Sequence, residues 1–192
     1  MLRFLVLLLS FLWAAGASAQ TLDVDALARQ PGVTVTKKKS EKGGEITVLT
    51  RAGVRIEVSS GGWTSWDSSG QAVWCLRDMA VAIQLATDFC YPGEFVPLSR
   101  MLGDYIEAAD RFIVTNNPYP ITKQALEQNI AERRAKAVAG LKAAGVPPAQ
   151  NGACKRQREE DVLPLNAELE KYRQEFQRSL AAPRWPAKNP CS

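Results

Sequence analysis

In the first third of the chain, apolar residues alternate with polar ones, as in strands that bury one face. The apolar positions with this period of two are Val33, Val35, Ile46, Val48, Val54, Ile56 and Val58. Turn residues separate the runs at 40–44 and at Ala52 and Gly53, where glycine supplies the positive φ that hairpins require. The pattern predicts a three-stranded antiparallel meander. The stretch 61–70, which contains Trp63 and Trp66, fits either a second hairpin or an ordered loop.

From Cys75 onward the apolar period becomes helical. Residues 76–89 are apolar around much of the predicted helix, as in a helix covered on more than one side. A second helix is predicted at about 98–114, and a third from Thr122, as its N-cap, to about Ala143. Leu165, Leu169, Tyr172, Phe176 and Leu180 recur at steps of four and three, which predicts a fourth helix with Pro164 in its first turn.

These elements predict an α+β domain. The meander occupies a β-rich part at 20–74 and packs on a bundle of about four helices at 75–182. The two parts form one domain over 20–182. Residues 183–192 are rich in proline and predicted to be an irregular tail, loose unless Cys191 ties it down. A mostly helical domain with a peripheral hairpin is the alternative.

The first nineteen residues have the pattern of a secretory signal peptide. Arg3 precedes an apolar run at 4–12, and the small residues 17–19 end the segment before Gln20. The apolar run is too short to span a bilayer, and no other run reaches the roughly 18 apolar residues that a membrane helix needs. We therefore expect a soluble protein, periplasmic or secreted, with no membrane insertion after cleavage.

The four cysteines, Cys75, Cys90, Cys154 and Cys191, predict two disulfides in an exported protein. Cys75 and Cys90 lie at opposite ends of a helix about 20 Å long, so they cannot bond to each other. In an up-and-down bundle, Cys154 lies at the end that holds Cys90, and Cys191 at the end that holds Cys75. The predicted pairs are Cys90–Cys154 and Cys75–Cys191.

Charge and composition exclude several classes of function. The formal net charge is +4, too mild to indicate a nucleic-acid partner. Residues 63–120 carry three basic and seven acidic side chains, whereas 121–160 carry eight and four, which predicts two segments that pack side by side. The chain has no histidine, which excludes histidine-dependent triads and histidine-ligated metals. We predict no catalytic residues, no metal site and no cofactor.

Carboxylates remain as candidate catalytic groups. Glu57, Asp67 and Asp78 could share a cleft with nearby tryptophans and cut a glycosidic bond. Simpler interpretations are that Asp67 bonds to the local turn backbone and that Asp78 is a first-turn helix residue. On the second helix, Asp104, Glu107 and Asp110 step by three, which indicates a solvated face.

Trp63, Trp66 and Trp74 lie within twelve residues. Their rings could bind a partner, or they could fill the junction between sheet and helices. We predict a non-enzymatic exported protein that binds a protein or cell-envelope partner, with these tryptophans as the candidate surface. A carboxylate-dependent hydrolase of envelope carbohydrate is the alternative, and a structural envelope component is a third. The oligomeric state is left open.

Overall fold

The computed structural model describes residues 22–41 and 43–190. The predicted signal peptide lies outside this range. The first element is a short helix α1, Val24–Ala28, whose start is capped by the Asp23 side chain, which accepts a hydrogen bond from the Ala26 N–H at 2.8 Å. Leu27 of this helix is buried, which fixes the chain entry against the sheet that follows.

The sheet has four antiparallel strands in the order β1 Thr34–Lys39, β2 Glu45–Arg51, β3 Val54–Ser59 and β4 Gly62–Asp67. The prediction of three strands was therefore wrong by one. The stretch with Trp63 and Trp66 forms β4, since Ser59 pairs with Gly62 in a tight turn where Gly62 has a φ of 125°. Only glycine adopts such a φ without strain.

Side chains of alternate residues lie on opposite faces of this sheet. Leu49, Val54 and Ile56 lie on the inner face and are fully buried. Val48, Arg55 and Trp66 lie on the other, which we call the outer face. Every residue of β1 is exposed, so this lysine-rich strand is the free edge of the sheet.

The helices α2 and α3 form the centre of the bundle. The bounds of the long helices are α2 Val73–Cys90, α3 Val96–Asn116 and α4 Lys123–Ala144. Thr122 caps α4 by accepting the Ala125 N–H at 3.1 Å, and Gly145 ends it with a φ of 64°, so the predicted start and end of this helix are confirmed. Within the described residues, no helix has both the length and the apolar character needed to cross a bilayer.

The last helical region is longer and more broken than predicted. It begins at α5 Gly152–Gln157, continues through a π-helical turn at Arg158–Val162 and α6 Leu163–Ala167, and ends with α7 Leu169–Leu180. Pro164 lies in the first turn of α6, as predicted. Because proline has no N–H to donate and crowds the preceding turn, the helix widens just before it. Glu168, with φ −120° and ψ 35°, separates α6 from α7.

The acidic and basic segments do pack together. Arg133 contacts Asp78 at 3.0 Å and Arg134 contacts Asp88 at 3.7 Å, while Arg158 forms an ion pair with Glu94. These pairs join α4 and the π-helical turn to α2 and the connection after it.

Cys90 and Cys154 form a disulfide with Cα atoms 5.7 Å apart, as predicted. It is the only disulfide in the described part of the chain, whereas two were predicted. Cys191 lies outside the described residues, so its pairing with Cys75 is not described. Cys75 itself is not a free thiol.

The chain after α7 is irregular, as predicted, and it is packed against the rest of the molecule. Trp185 is 1% exposed and Ala187 is fully buried. Asn189 forms a parallel bridge with Trp66 of β4, and its backbone carbonyl accepts the Asp67 N–H at 2.8 Å. We call residues 184–190 the C-terminal segment. It covers the β4 edge, and it contributes to an apolar cluster with the inner face of the sheet, separate from the cluster between the helices.

Candidate functional site

The structure places two of the three candidate tryptophans at the junction of sheet and helices. Trp63 lies edge-to-face with Tyr119 at 5.5 Å between ring centroids. The Trp74 indole N–H donates to the Asn117 Oδ1 atom at 3.3 Å. Asn117 and Tyr119 both belong to the connection between α3 and α4, so this connection lies between the two rings. Burial raises the pKa of Tyr119, which keeps its phenol neutral in this junction.

Trp66 occupies a different face. It is three residues from Trp63 on the same strand, so the two side chains lie on opposite sides of the sheet. Trp66 is 37% exposed, and neither apolar cluster includes it. The three tryptophans therefore do not form one surface, and Trp66 is the most exposed of them.

The outer face around Trp66 carries a connected row of charged side chains. The Lys38 Nζ atom lies 2.7 Å from the Glu57 Oε1 atom, and the Arg55 Nε atom lies 3.5 Å from the same oxygen. The Arg55 guanidinium lies over the Trp66 ring, 5.2 Å from its centroid. This arrangement holds the indole by a cation–π contact and fixes its orientation on the face.

Apolar and threonine side chains complete the outer face. Ile46 and Val48 of β2 lie beneath the charged row and belong to neither apolar cluster. Thr50 lies opposite Arg55 and is exposed. The outer face therefore presents a row of charged side chains above the buried Val48, next to the exposed Trp66 ring.

The three candidate carboxylates are each bound by basic side chains. Glu57 receives Lys38 and Arg55 on the outer face, as above. Asp67 is buried and accepts from the Arg184 Nε atom at 2.6 Å. Asp67 faces the inner side of the sheet, so the sheet separates it from Glu57. The backbone bond predicted for Asp67 is present, because its Oδ1 atom accepts the Ser69 N–H at 2.9 Å.

Asp78 lies on α2, where its Oδ1 atom contacts Arg77 at 3.3 Å and Arg133 at 3.0 Å. It forms part of the link between α2 and α4. In the described range, no group of three or more cysteine, aspartate or glutamate side chains is arranged to hold a metal ion.

A buried ion pair was missed by the sequence analysis. Arg77 is fully buried and its Nε atom donates to the Asp110 Oδ1 atom at 2.5 Å. Its remaining donors reach the Leu126 carbonyl at 3.2 Å and the Asn129 amide oxygen at 3.4 Å. Asp110 therefore faces the core, and its assignment to a solvated face with Asp104 and Glu107 was wrong. No local pattern reports this pair, because the partners are 33 residues apart.

Two clefts lie along α3. One, of about 550 Å³, separates α3 from α7. The other, of about 440 Å³, lies between α3 and the end of α2. Arg100 and Asp104 line both clefts. Neither cleft was predicted, since the residues that face each other across the first one are about seventy positions apart.

Comparison with known proteins adds no homologue. No protein-family model matches the chain, and neither the curated proteins nor the solved structures include a match.

Proposed function

We propose that this protein is an exported, non-enzymatic binding protein, periplasmic or secreted, that recognises a protein partner through the outer face of its sheet. The observation that carries the proposal is the exposed Trp66 ring, which lies under the Arg55 guanidinium and belongs to neither apolar cluster. Tryptophan and arginine are the residues most enriched at the energetic centres of protein interfaces.

The shape and charge of the outer face indicate what kind of partner it fits. A flat sheet face suits a protein surface better than a small molecule, which needs a concave site. Lys38 and Arg55 share the single carboxylate of Glu57, so this row of side chains carries an excess of positive charge. A partner with acidic groups, and with an apolar group to pack on the Trp66 ring, complements this face.

Export is proposed from the signal-peptide pattern and is supported by the disulfide between Cys90 and Cys154. We also propose the second link, Cys75–Cys191. The Trp74 backbone N–H donates to the Ala187 carbonyl at 3.0 Å, and Cys75 shares an apolar cluster with Ala187. The C-terminal segment thus passes beside Cys75 shortly before Cys191.

The hydrolase alternative receives no specific support. Glu57, Asp67 and Asp78 each form an ion pair with arginine or lysine. Glycoside hydrolysis needs two carboxyl groups that face one substrate, whereas the sheet separates Glu57 from Asp67.

The test compares capture of envelope proteins by three forms of the oxidised chain without its first nineteen residues: wild type, Trp66→Ala and Trp63→Phe. Trp63→Phe is the matched control, because it alters a tryptophan of the same strand on the opposite face and keeps an aromatic ring against Tyr119. Circular dichroism of each form checks folding.

We expect to find a protein that wild type and Trp63→Phe retain and that Trp66→Ala does not. The affinity of Trp66→Ala for this protein should be at least ten-fold lower, since central tryptophans in interfaces contribute about 2 kcal/mol or more. If all three folded forms retain the same envelope protein equally well, the outer face is not the binding surface.

A further inference from the structure

The cleft of about 550 Å³ between α3 and α7 has an apolar floor. Met101, Tyr105 and Phe176 are buried there. The rings of Tyr105 and Phe176 stack with their centroids 4.1 Å apart and their planes 13° from parallel. A cleft of this volume lies within the range of small-molecule sites.

The one polar group of this floor is satisfied internally. The Tyr105 hydroxyl lies 3.3 Å from the Ser179 Oγ atom, whose own hydrogen goes to the Phe176 carbonyl at 2.7 Å, so the phenol is the donor. Burial raises the pKa of Tyr105 to about 12. The floor is therefore uncharged at neutral pH and offers a ligand only apolar contact.

The connections of the bundle show that α3 and α7 run in the same direction. The Cys90–Cys154 disulfide ties the end of α2 to the start of α5, and α3 begins at Val96, just after α2 ends. After α7, Arg184 donates to the Gln71 carbonyl at 3.2 Å, next to the start of α2. Both α3 and α7 therefore begin at the same end of the bundle.

This shared direction gives the cleft a basic end. Arg100 precedes Tyr105 by five residues, and Arg173 precedes Phe176 by three. At about 1.5 Å per residue, both arginines lie roughly 5–8 Å to the same side of the stacked rings. Both line the cleft, so two guanidinium groups share one end of it.

The other end of the cleft is apolar. Ala108 follows Tyr105 by three residues and Leu180 follows Phe176 by four, and both line the cleft. The cleft thus changes from charged to apolar along its length, which is the polarity of an amphiphile.

The remaining charges at the cleft leave Arg100 available. Asp104 also lines the cleft, and Glu170 lies 3.8 Å from Arg173. Arg100 forms no salt bridge or hydrogen bond with any side chain in the described ranges. A ligand anion can therefore pair with Arg100 without displacing a partner.

We propose that this cleft binds an amphiphile with a carboxylate head and a single unbranched apolar chain, the head at Arg100 and Arg173 and the chain toward Ala108 and Leu180. A planar guanidinium binds a carboxylate through two parallel hydrogen bonds. The chain gains from burial against the apolar floor. This inference is independent of the outer face and of its partner.

The first test is calorimetric titration of the oxidised chain, without its first nineteen residues, with octanoate, decanoate and dodecanoate below their micelle concentrations. Each buried methylene tightens binding about four-fold, so two added methylenes lower Kd by about ten-fold or more while the chain remains within the cleft. Dodecyltrimethylammonium, which has an alkyl chain about one carbon longer and a cationic head, should bind at least ten-fold more weakly than dodecanoate.

The second test places the head. The double variant Arg100→Gln/Arg173→Gln should raise the Kd for dodecanoate at least ten-fold. Arg111→Gln is the matched control, because Arg111 is an exposed arginine on α3 that pairs with Glu107, and it should leave the Kd unchanged. The inference is overturned if the folded protein binds none of the carboxylates, if it binds the cationic amphiphile equally well, or if the double variant binds dodecanoate as wild type does.

Discussion

A single buried residue, Arg77, joins the central helices of the bundle. Arg77 is buried on α2 with four polar partners on α2, α3 and α4, so one side chain joins three helices. A buried charge requires such a set of partners, because removal from water costs several kcal/mol. Leu126 packs at the same place, and its carbonyl is one of these partners.

The first prediction concerns this ion pair. Asp110→Ala leaves the buried guanidinium of Arg77 without its carboxylate, and we expect a loss of about 3–5 kcal/mol in the free energy of unfolding, measured by urea denaturation. The double variant Arg77→Met/Asp110→Leu should regain at least half of that loss, because it removes both charges.

Glu107→Ala is the control for this measurement. Glu107 pairs with Arg111 on the exposed side of the same helix, where an ion pair contributes about 0.5 kcal/mol. A loss in Asp110→Ala no larger than in this control would contradict the role given to Arg77.

The second prediction concerns Tyr105 and alkaline pH. Because burial raises the pKa of Tyr105 from 10.0 to about 12, the folded state holds its proton more tightly than the unfolded state does. The resulting stability is complete below pH 10 and is lost as the pH rises toward 12. Guanidinium unfolding at a series of pH values should show wild type losing on the order of 2 kcal/mol more than Tyr105→Phe between pH 9 and pH 12. Parallel curves for the two proteins would contradict the burial of this phenol.

Among the elements, the C-terminal segment binds the sheet to the helical part. Arg184 donates to the Asp67 carboxylate at the end of β4. The Trp74 backbone N–H at the start of α2 donates to the Ala187 carbonyl. The Trp185 indole N–H donates to the Gln30 Oε1 atom at 3.2 Å, beyond α1. One irregular stretch therefore contacts the sheet, α1 and α2.

The third prediction tests this role. Trp185→Ala removes the largest fully buried side chain of the chain's described part, and we expect a loss of about 3–5 kcal/mol in the free energy of unfolding. Thermal and urea unfolding of the variant, compared with Trp66→Ala, provide the measurement. Trp66→Ala should cost less than half as much, because Trp66 is 37% exposed. Similar losses of unfolding free energy in the two variants would contradict the role of the C-terminal segment in joining the sheet to the helical part.

Elements with local signals were the ones that sequence analysis predicted well. Thr122 and Gly145 mark the ends of α4 by cap chemistry that depends on a few neighbouring residues. The C-terminal segment has no repeating pattern, since its prolines give it neither helical nor strand periodicity. Its packing depends on Asp67 and Gln30, more than a hundred residues away, so composition indicates only an irregular tail that is loose unless Cys191 ties it down.

At the scale of the whole molecule, an up-and-down arrangement of the helices was enough to predict the Cys90–Cys154 pair. A helix of known rise fixes which cysteines share an end, and the disulfide follows from that geometry. The candidate site was less predictable. The grouping of Trp63, Trp66 and Trp74 rested on closeness in sequence, whereas a strand sends Trp63 and Trp66 to opposite faces. The sequence of this stretch fits either a hairpin or a loop, so it does not show that Trp63 and Trp66 lie on opposite faces.

The α3–α7 cleft and the outer face are properties of the assembled molecule. Arg100 and Arg173 share an end of the cleft only because α3 and α7 run in the same direction, and Arg55 meets Trp66 only through the register of β3 with β4. Neither relation is present in any local window of sequence.

Contact between the outer face and a protein partner can be detected by photo-crosslinking. A photoreactive benzoyl-phenylalanine is placed at Thr50, on the outer face beside Arg55, or at Arg111, on the exposed side of α3, and the native envelope is irradiated. We expect a protein adduct from position 50 that disappears when Trp66→Ala is added, and none from position 111. Adducts from position 111 alone, or from neither position, would contradict this contact.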